Sequence, residues 1–125
     1  MPPVTTQAIL QLIVGLGLLN VWILRAGRAT AYRGGPATNL KEEFAAYGLS
    51  DQIFYLVGFL KVSSGLALLA GLWLAEVVVP AASTVSVLML GALMMHAKVK
   101  DPMLKSLPAF LMLLASATIA YLALR

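Results

Sequence analysis

Four long stretches of this chain are nearly free of charge, and the polar residues gather between them. The first runs from about Ala8 to Leu24, interrupted only by Gln11 and Asn20 and closed by Arg25 and Arg28. The second runs from about Ile53 to Ala75, with Lys61, Ser63 and Ser64 as its polar positions. The third covers about Val78 to His96, with Pro80 in its first turn, where a missing N–H costs nothing. The fourth covers about Pro108 to Leu124 and again opens on proline. A membrane-spanning helix needs about 20 mostly apolar residues. The pattern therefore predicts four such helices, of which the first, third and fourth are short and gain a turn from their flanks. Between the second and third only about Glu76–Val77 remain, a turn so tight that it predicts an antiparallel hairpin.

The one long polar stretch is about Arg25–Gln52, broken by Gly34, Gly35 and Pro36. After the break, Asn39 stands as an N-cap with Glu42 three residues on, a pattern like a capping box. Leu40, Phe44 and Tyr47 share one helical face, and Gly48 is a natural stop. This predicts a short amphipathic helix lying at the membrane interface; the competing reading is a loop turn packed on the end of the bundle.

Composition supports the membrane reading. The chain has 125 residues, 61% hydrophobic and 11% charged, against about 45–50% apolar and about 25% charged in soluble domains. Such hydrophobicity excludes intrinsic disorder. With no cysteine there are no disulfides, thiolate metal sites or iron–sulfur ligands. One histidine excludes a multi-histidine metal site within one chain. No phosphate-binding loop, nucleotide fingerprint or nucleophile elbow is present, and no internal repeat.

The net charge of +4 is read through topology rather than as a nucleic-acid footprint. Arg25, Arg28, Arg33 and Lys41 follow the first span, and Lys98, Lys100 and Lys105 follow the third. An even number of spans puts those two loops on one side, and only Arg125 falls on the other. The positive-inside rule then expects loops 25–52 and 97–107 in the cytoplasm, with both termini and the Glu76 turn outside. No Lys or Arg precedes Arg25, so the first span is expected to be a retained helix rather than a cleaved targeting segment. Small residues that let helices approach closely include Gly15 and Gly17, then Gly58, Gly65, Ala67 and Gly71, then Ala82, Ser86, Ser116 and Ala120.

Four polar residues stand out as a candidate ligand-binding set: Asn20, Lys61, His96 and Asp101. Lys61 lies deep in the second span, where an ammonium costs roughly 2.5–3.5 kcal/mol to insert. Either it snorkels to the headgroups or it faces the bundle interior and pairs with an acid or a ligand. His96 ends the third span, Asn20 lies near the same end of the first, and Asp101 follows. Asp101 is the anionic partner for Lys61 or His96; the plainer readings are an interfacial histidine bonded to a carbonyl and a cap before the last helix. Glu76, alone at the opposite end, is given no role.

These residues carry a resemblance. From about Ala8 to Leu122 the chain resembles the DoxX-like family of small four-helix membrane proteins. The motifs are Tyr47-Gly48-Leu49, then Gly58, Lys61 and Gly65 in the second helix, the single His96 ending the third, and Lys100-Asp101-Pro102 after it. The stretch from His96 to Leu107 is distantly similar to NACHO-type receptor assembly factors. The resemblance leads one to expect glutamate where this chain has Lys61, so a mechanism built on that acid does not carry over. What it implies is an accessory subunit of a quinone-linked oxidoreductase, a component of an oxidative-stress complex, or a chaperone for other membrane proteins.

The expected fold is thus all-α, a four-helix transmembrane bundle with one short interfacial helix, forming a single domain over residues 1–125. The expected function is non-catalytic: binding of a partner protein or a lipid-like ligand in a bacterial or archaeal cytoplasmic membrane, since the polar set forms no complete catalytic constellation. One alternative is a quinone-reactive subunit, with quinone as the implied cofactor. Another is a small-molecule or proton-coupled transporter, which lacks support from any inverted repeat or broken helix. Membrane lipid is an expected partner, with a second membrane protein and further copies of the chain as candidates; no metal is expected.

Overall fold

The computed structural model describes residues 5–24, 37 and 39–125. The loop charges Arg25, Arg28 and Arg33 and the break at Gly34, Gly35 and Pro36 lie outside the described residues. The described residues form helices and turns, with five α-helices: α1 Thr6–Leu19, α2 Leu40–Ala46, α3 Asp51–Ala70, α4 Val78–Lys98 and α5 Met103–Leu124. A π-helical turn, Asn20–Leu24, extends α1, and a 3₁₀ turn, Ala75–Val77, leads into α4. Four of these segments are long and apolar enough to cross a membrane: Thr6–Leu24, Asp51–Ala70, Ala75–Lys98 and Met103–Leu124.

Two boundaries differ from the hydropathy pattern. The second span stops at Ala70, not Ala75, so the hairpin turn is longer than two residues and includes the 3₁₀ turn. The last helix begins at Met103, and Pro108 lies inside it rather than at its start. Pro102, at the N-cap, takes the starting role that the pattern gave to Pro108. The residues between them, interrupted in apolar character only by Lys105 and Ser106, are helical too, and Lys105 donates its N–H to the Pro102 carbonyl at 3.0 Å.

Contacts run from α1 to α3, α3 to α4, α4 to α5 and α5 back to α1, so the long helices form a ring. Val14, Leu18, Leu68, Val78, Ala82, Val85, Met89 and Ile119 fill its centre. The ring is thin, and large side chains such as Ile13, Leu16, Leu56, Phe59, Val87, Leu90, Leu111 and Leu114 point outward. In water that surface would be untenable; in a bilayer it is the lipid-facing wall.

Small residues set the spacing. A Cβ on Gly15 would lie 3.0 Å from the Gly65 carbonyl oxygen, and one on Gly65 would lie 3.2 Å from that of Gly15. The two backbones touch at this crossing, as expected where close packing rather than a hydrophobic driving force joins helices. Between α4 and α5, Ser86 and Ser116 hydroxyls bond at 2.9 Å. Gln11, buried in α1, donates its amide to the Leu68 carbonyl at 2.9 Å, near the end of α3. Every buried side-chain polar atom among the described residues has a partner.

Candidate functional site

The polar chemistry collects at the end of the bundle where α2 lies. Asn39 Oδ1 accepts the Glu42 N–H at 2.8 Å and starts α2. At its other end Gly48 N–H bonds to the Ala45 carbonyl and Leu49 N–H to the Phe44 carbonyl, both at 3.0 Å. This is the Schellman motif, with Gly48 in the left-handed region at φ 79°. The short helix predicted over this stretch is therefore present, and it turns Glu43, Phe44 and Tyr47 into protein: all are buried. Phe44 sits edge-on to Trp22 and to Phe54, whose rings stack on each other with centroids 5.3 Å apart.

The end of α4 is built the same way. Lys100 N–H bonds to the Ala97 carbonyl at 3.1 Å and Asp101 N–H to the His96 carbonyl at 3.0 Å. Here the left-handed residue is Lys100, φ 57°, and not glycine. The motif normally brings two apolar side chains together across the stop. In α4 the corresponding positions are His96 and Asp101, and His96 Nδ1 lies 2.7 Å from Asp101 Oδ2.

Tyr47 joins the two helix ends. Its hydroxyl donates to Glu43 Oε1 at 2.6 Å and lies 3.4 Å from His96 Nε2. Lys98 Nζ donates to the Tyr47 carbonyl at 2.7 Å. Glu43 Oε1 is itself 4.0 Å from His96 Nε2, and Lys105 Nζ is 3.9 Å from Asp101 Oδ1. A continuous row thus runs Glu43, Tyr47, His96, Asp101, Lys105, drawn from α2, α4, the following turn and α5. Glu43, Tyr47, Asp101 and Lys105 each take part in further contacts.

Lys61 approaches this row from α3. It lies about 15 Å along the helix from Asp51, at 1.5 Å per residue. Its Nζ stands over the Trp22 ring, 5.5 Å from the centroid, and feels the charge of Glu43. Its ammonium meets an aromatic face, within electrostatic reach of the Glu43 carboxylate. Gly58, one turn nearer that end, leaves room for Trp22, since a Cβ there would be 2.7 Å from the indole Cζ3.

Of the four residues singled out from the sequence, His96 and Asp101 are in direct contact, and Lys61 is related to them only through the charge of Glu43. Asn20 is exposed at the start of the π-helical turn, and no described contact joins it to the other three. Sequence reasoning missed Glu43 and Tyr47 as site residues. Their signal was a carboxylate placed four residues before a tyrosine on the apolar side of α2, next to Phe44, where solvent would not be its partner. No group of three His, Asp or Glu that could hold a metal occurs among the described residues.

Beside the row, on the lateral face of α3, is an open groove of about 470 Å³. Trp22, Phe54, Tyr55, Gly58, Phe59 and Val62 line it. Lys41 Nζ stands over the Tyr55 ring, 5.7 Å from its centroid, and is 3.7 Å from Asp51, so a charged pair marks the upper end.

Four apolar helices around a thin core, with the buried charge of the described residues gathered at one end, define a multi-pass integral membrane protein. Residues 14–118 match the model of the DoxX-like family, and the chain belongs to that family. No curated protein and no solved structure gives a match.

Proposed function

We propose that this protein is a non-catalytic membrane subunit that holds an amphipathic, lipid-like ligand in the lateral groove of α3, and serves as an accessory or assembly component of a larger membrane complex. The observation that carries the reading is the groove itself. Its floor is aromatic, it opens sideways where a lipid tail lies, and a cation stands at each level, Lys41 above and Lys61 behind Trp22. A ring or headgroup would stack on Trp22 and Phe54, and a tail would run along Phe59 and Val62. In this reading the end carrying Lys41, Lys98, Lys100 and Lys105 faces the cytoplasm of a bacterial or archaeal cell.

A quinone is the ligand favoured by the second reading, in which the protein is a quinone-reactive subunit whose redox partner brings its own electron carrier. The motivating feature is a planar aromatic floor beside groups able to donate hydrogen bonds to ring carbonyls.

The test is native mass spectrometry of the protein released from nanodiscs of bacterial lipid. A reproducible adduct is expected on the wild type. Val62→Trp, which fills the groove, should remove it, and Lys61→Met should weaken it. An identical adduct pattern in all three proteins, or a bare wild type, overturns the ligand reading. The mass of the adduct separates quinone from phospholipid.

A further inference from the structure

We propose that Glu43, Tyr47, His96 and Asp101 form an internal proton-transfer chain, through which the aqueous turn at Asp101 sets the charge of the carboxyl group beside Lys61. This goes beyond the ligand reading and does not depend on the groove being occupied.

The geometry supplies the links. Neighbouring atoms along the row are 2.6, 3.4 and 2.7 Å apart, from Glu43 Oε1 to Tyr47 Oη, Tyr47 Oη to His96 Nε2, and His96 Nδ1 to Asp101 Oδ2. Both interior members, a phenol and a neutral imidazole, can donate and accept at once. The row is largely buried: the side chains of Glu43, His96 and Asp101 are 11%, 6% and 4% exposed, and Tyr47 is buried. Lys105, with a side chain 26% exposed, marks where it meets solvent. Among the described residues, the charges facing the row include Lys61 from α3, Lys98 from α4 and Lys105 from α5, with Glu43 and Asp101 at its two ends.

Two hydrogen-bonding states fit the same heavy atoms. In the first, a protonated Glu43 donates to Tyr47 Oη, the tyrosine O–H donates to His96 Nε2, and Nδ1–H donates to the Asp101 carboxylate. In the second, the Glu43 proton has passed to Tyr47 Oη while the tyrosine proton has passed to Nε2. Tyr47 then donates to a Glu43 carboxylate, and the imidazolium donates to both Tyr47 and Asp101. Transfer of the Nδ1 proton to Asp101 Oδ2 completes the passage. One proton leaves Glu43 and one arrives at Asp101; no electrons move and no bond to carbon changes. The reverse sequence brings a proton inward, beside the Lys61 ammonium.

Lys61 gives such a chain a purpose. With Glu43 ionised, Lys61 has a counter-charge within the bundle. With Glu43 protonated, the cation is released from it and free to hold an anionic or carbonyl-bearing group.

The experiment is time-resolved infrared spectroscopy on the full-length protein in nanodiscs after a photoreleased proton jump. Glu43→Gln identifies the Glu43 carboxyl band by its loss. In the wild type that band should rise with a single rate. Tyr47→Phe keeps the ring and removes the relay, and should slow the rise at least tenfold. A merely structural tyrosine would leave the rate unchanged. His96→Gln should slow the rise as well, and serves if the phenylalanine variant does not fold. An unchanged rate in a folded Tyr47→Phe or His96→Gln protein overturns the proposal. So does a Glu43 band that fails to respond to the proton jump in the wild type.

Discussion

His96 and Asp101 are joined twice, once by backbone and once by side chain. The Asp101 N–H closes the end of α4 on the His96 carbonyl at 3.0 Å, and the Asp101 carboxylate meets His96 Nδ1 at 2.7 Å. In α2 the same two positions of the same motif hold Phe44 and Leu49. The helix stop that elsewhere presses two apolar groups together here presses an imidazole against a carboxylate. The pair is therefore positioned by local backbone geometry, before any tertiary contact is made. Asp101→Leu should leave a buried imidazole nitrogen without its partner and cost about 1–3 kcal/mol. Asp101→Asn keeps an acceptor and should cost less. Thermal unfolding in mild detergent distinguishes the two; equal melting points for both variants and the wild type would remove the structural role.

Lys100 holds a backbone conformation that glycine adopts freely. At φ 57° it sits in the left-handed region, which costs an L-residue roughly 1–2 kcal/mol. Lys100→Gly relieves that strain, and the greater freedom of unfolded glycine returns about 0.5–1 kcal/mol of it. A small net stabilisation is expected. Lys100→Val, branched at Cβ, should destabilise by about 1 kcal/mol or more. The ordering Gly, Lys, Val in melting temperature is the check.

The crossing of α1 and α3 tolerates no added atoms. Gly65→Ala places a methyl 3.2 Å from the Gly15 carbonyl oxygen and 3.3 Å from Leu18 Cβ. A backbone atom cannot swing away as a side-chain end can, so the helices must separate, at an expected cost of about 1–3 kcal/mol. Gly91 is the control, because a Cβ there meets nothing within 4 Å. Gly91→Ala should be neutral or stabilising by up to about 1 kcal/mol, from helix propensity. Denaturation of both variants under one set of conditions gives the comparison.

Orientation is open to direct labelling, because the chain has no cysteine. Lys100 and Glu76 are both exposed and lie at opposite ends of the bundle. With the basic end in the cytoplasm, a membrane-impermeant maleimide should label Glu76→Cys in intact cells and Lys100→Cys only after permeabilisation. The reverse pattern would invert the topology.

Much of this architecture is legible in the pattern of apolar runs, since in a membrane the runs themselves are the fold. Asn39, Glu42 and Gly48 announce α2 because caps and stops are local chemistry. Which neighbour α2 faces is not local: Phe44 and Tyr47 would suit lipid as well as they suit Trp22 and Phe54. For that reason the spacing of Glu43 and Tyr47 marks the pair as facing away from solvent but does not say which protein surface covers it. Asn20 shows the opposite case. Gln11, Val14, Gly15 and Leu18 define the inward face of α1, and a residue two positions after Leu18 points away from it. Helical periodicity alone would have removed Asn20 from the candidate set. Pro108 misled because proline usually opens a helix, whereas here the opening falls to Pro102.

Chain order gives Lys61 its own consequence during synthesis. Glu43 leaves the ribosome before Lys61, whereas His96 and Asp101 leave it long after. When α3 enters the bilayer, its ammonium already has a carboxylate on the segment just made, which offsets part of the roughly 2.5–3.5 kcal/mol that a lone lysine costs there. The imidazole and its aspartate arrive last and close the row. A chain halted after α3 would hold both charges but leave Tyr47 without its imidazole, so only a fully inserted polypeptide carries the finished polar end.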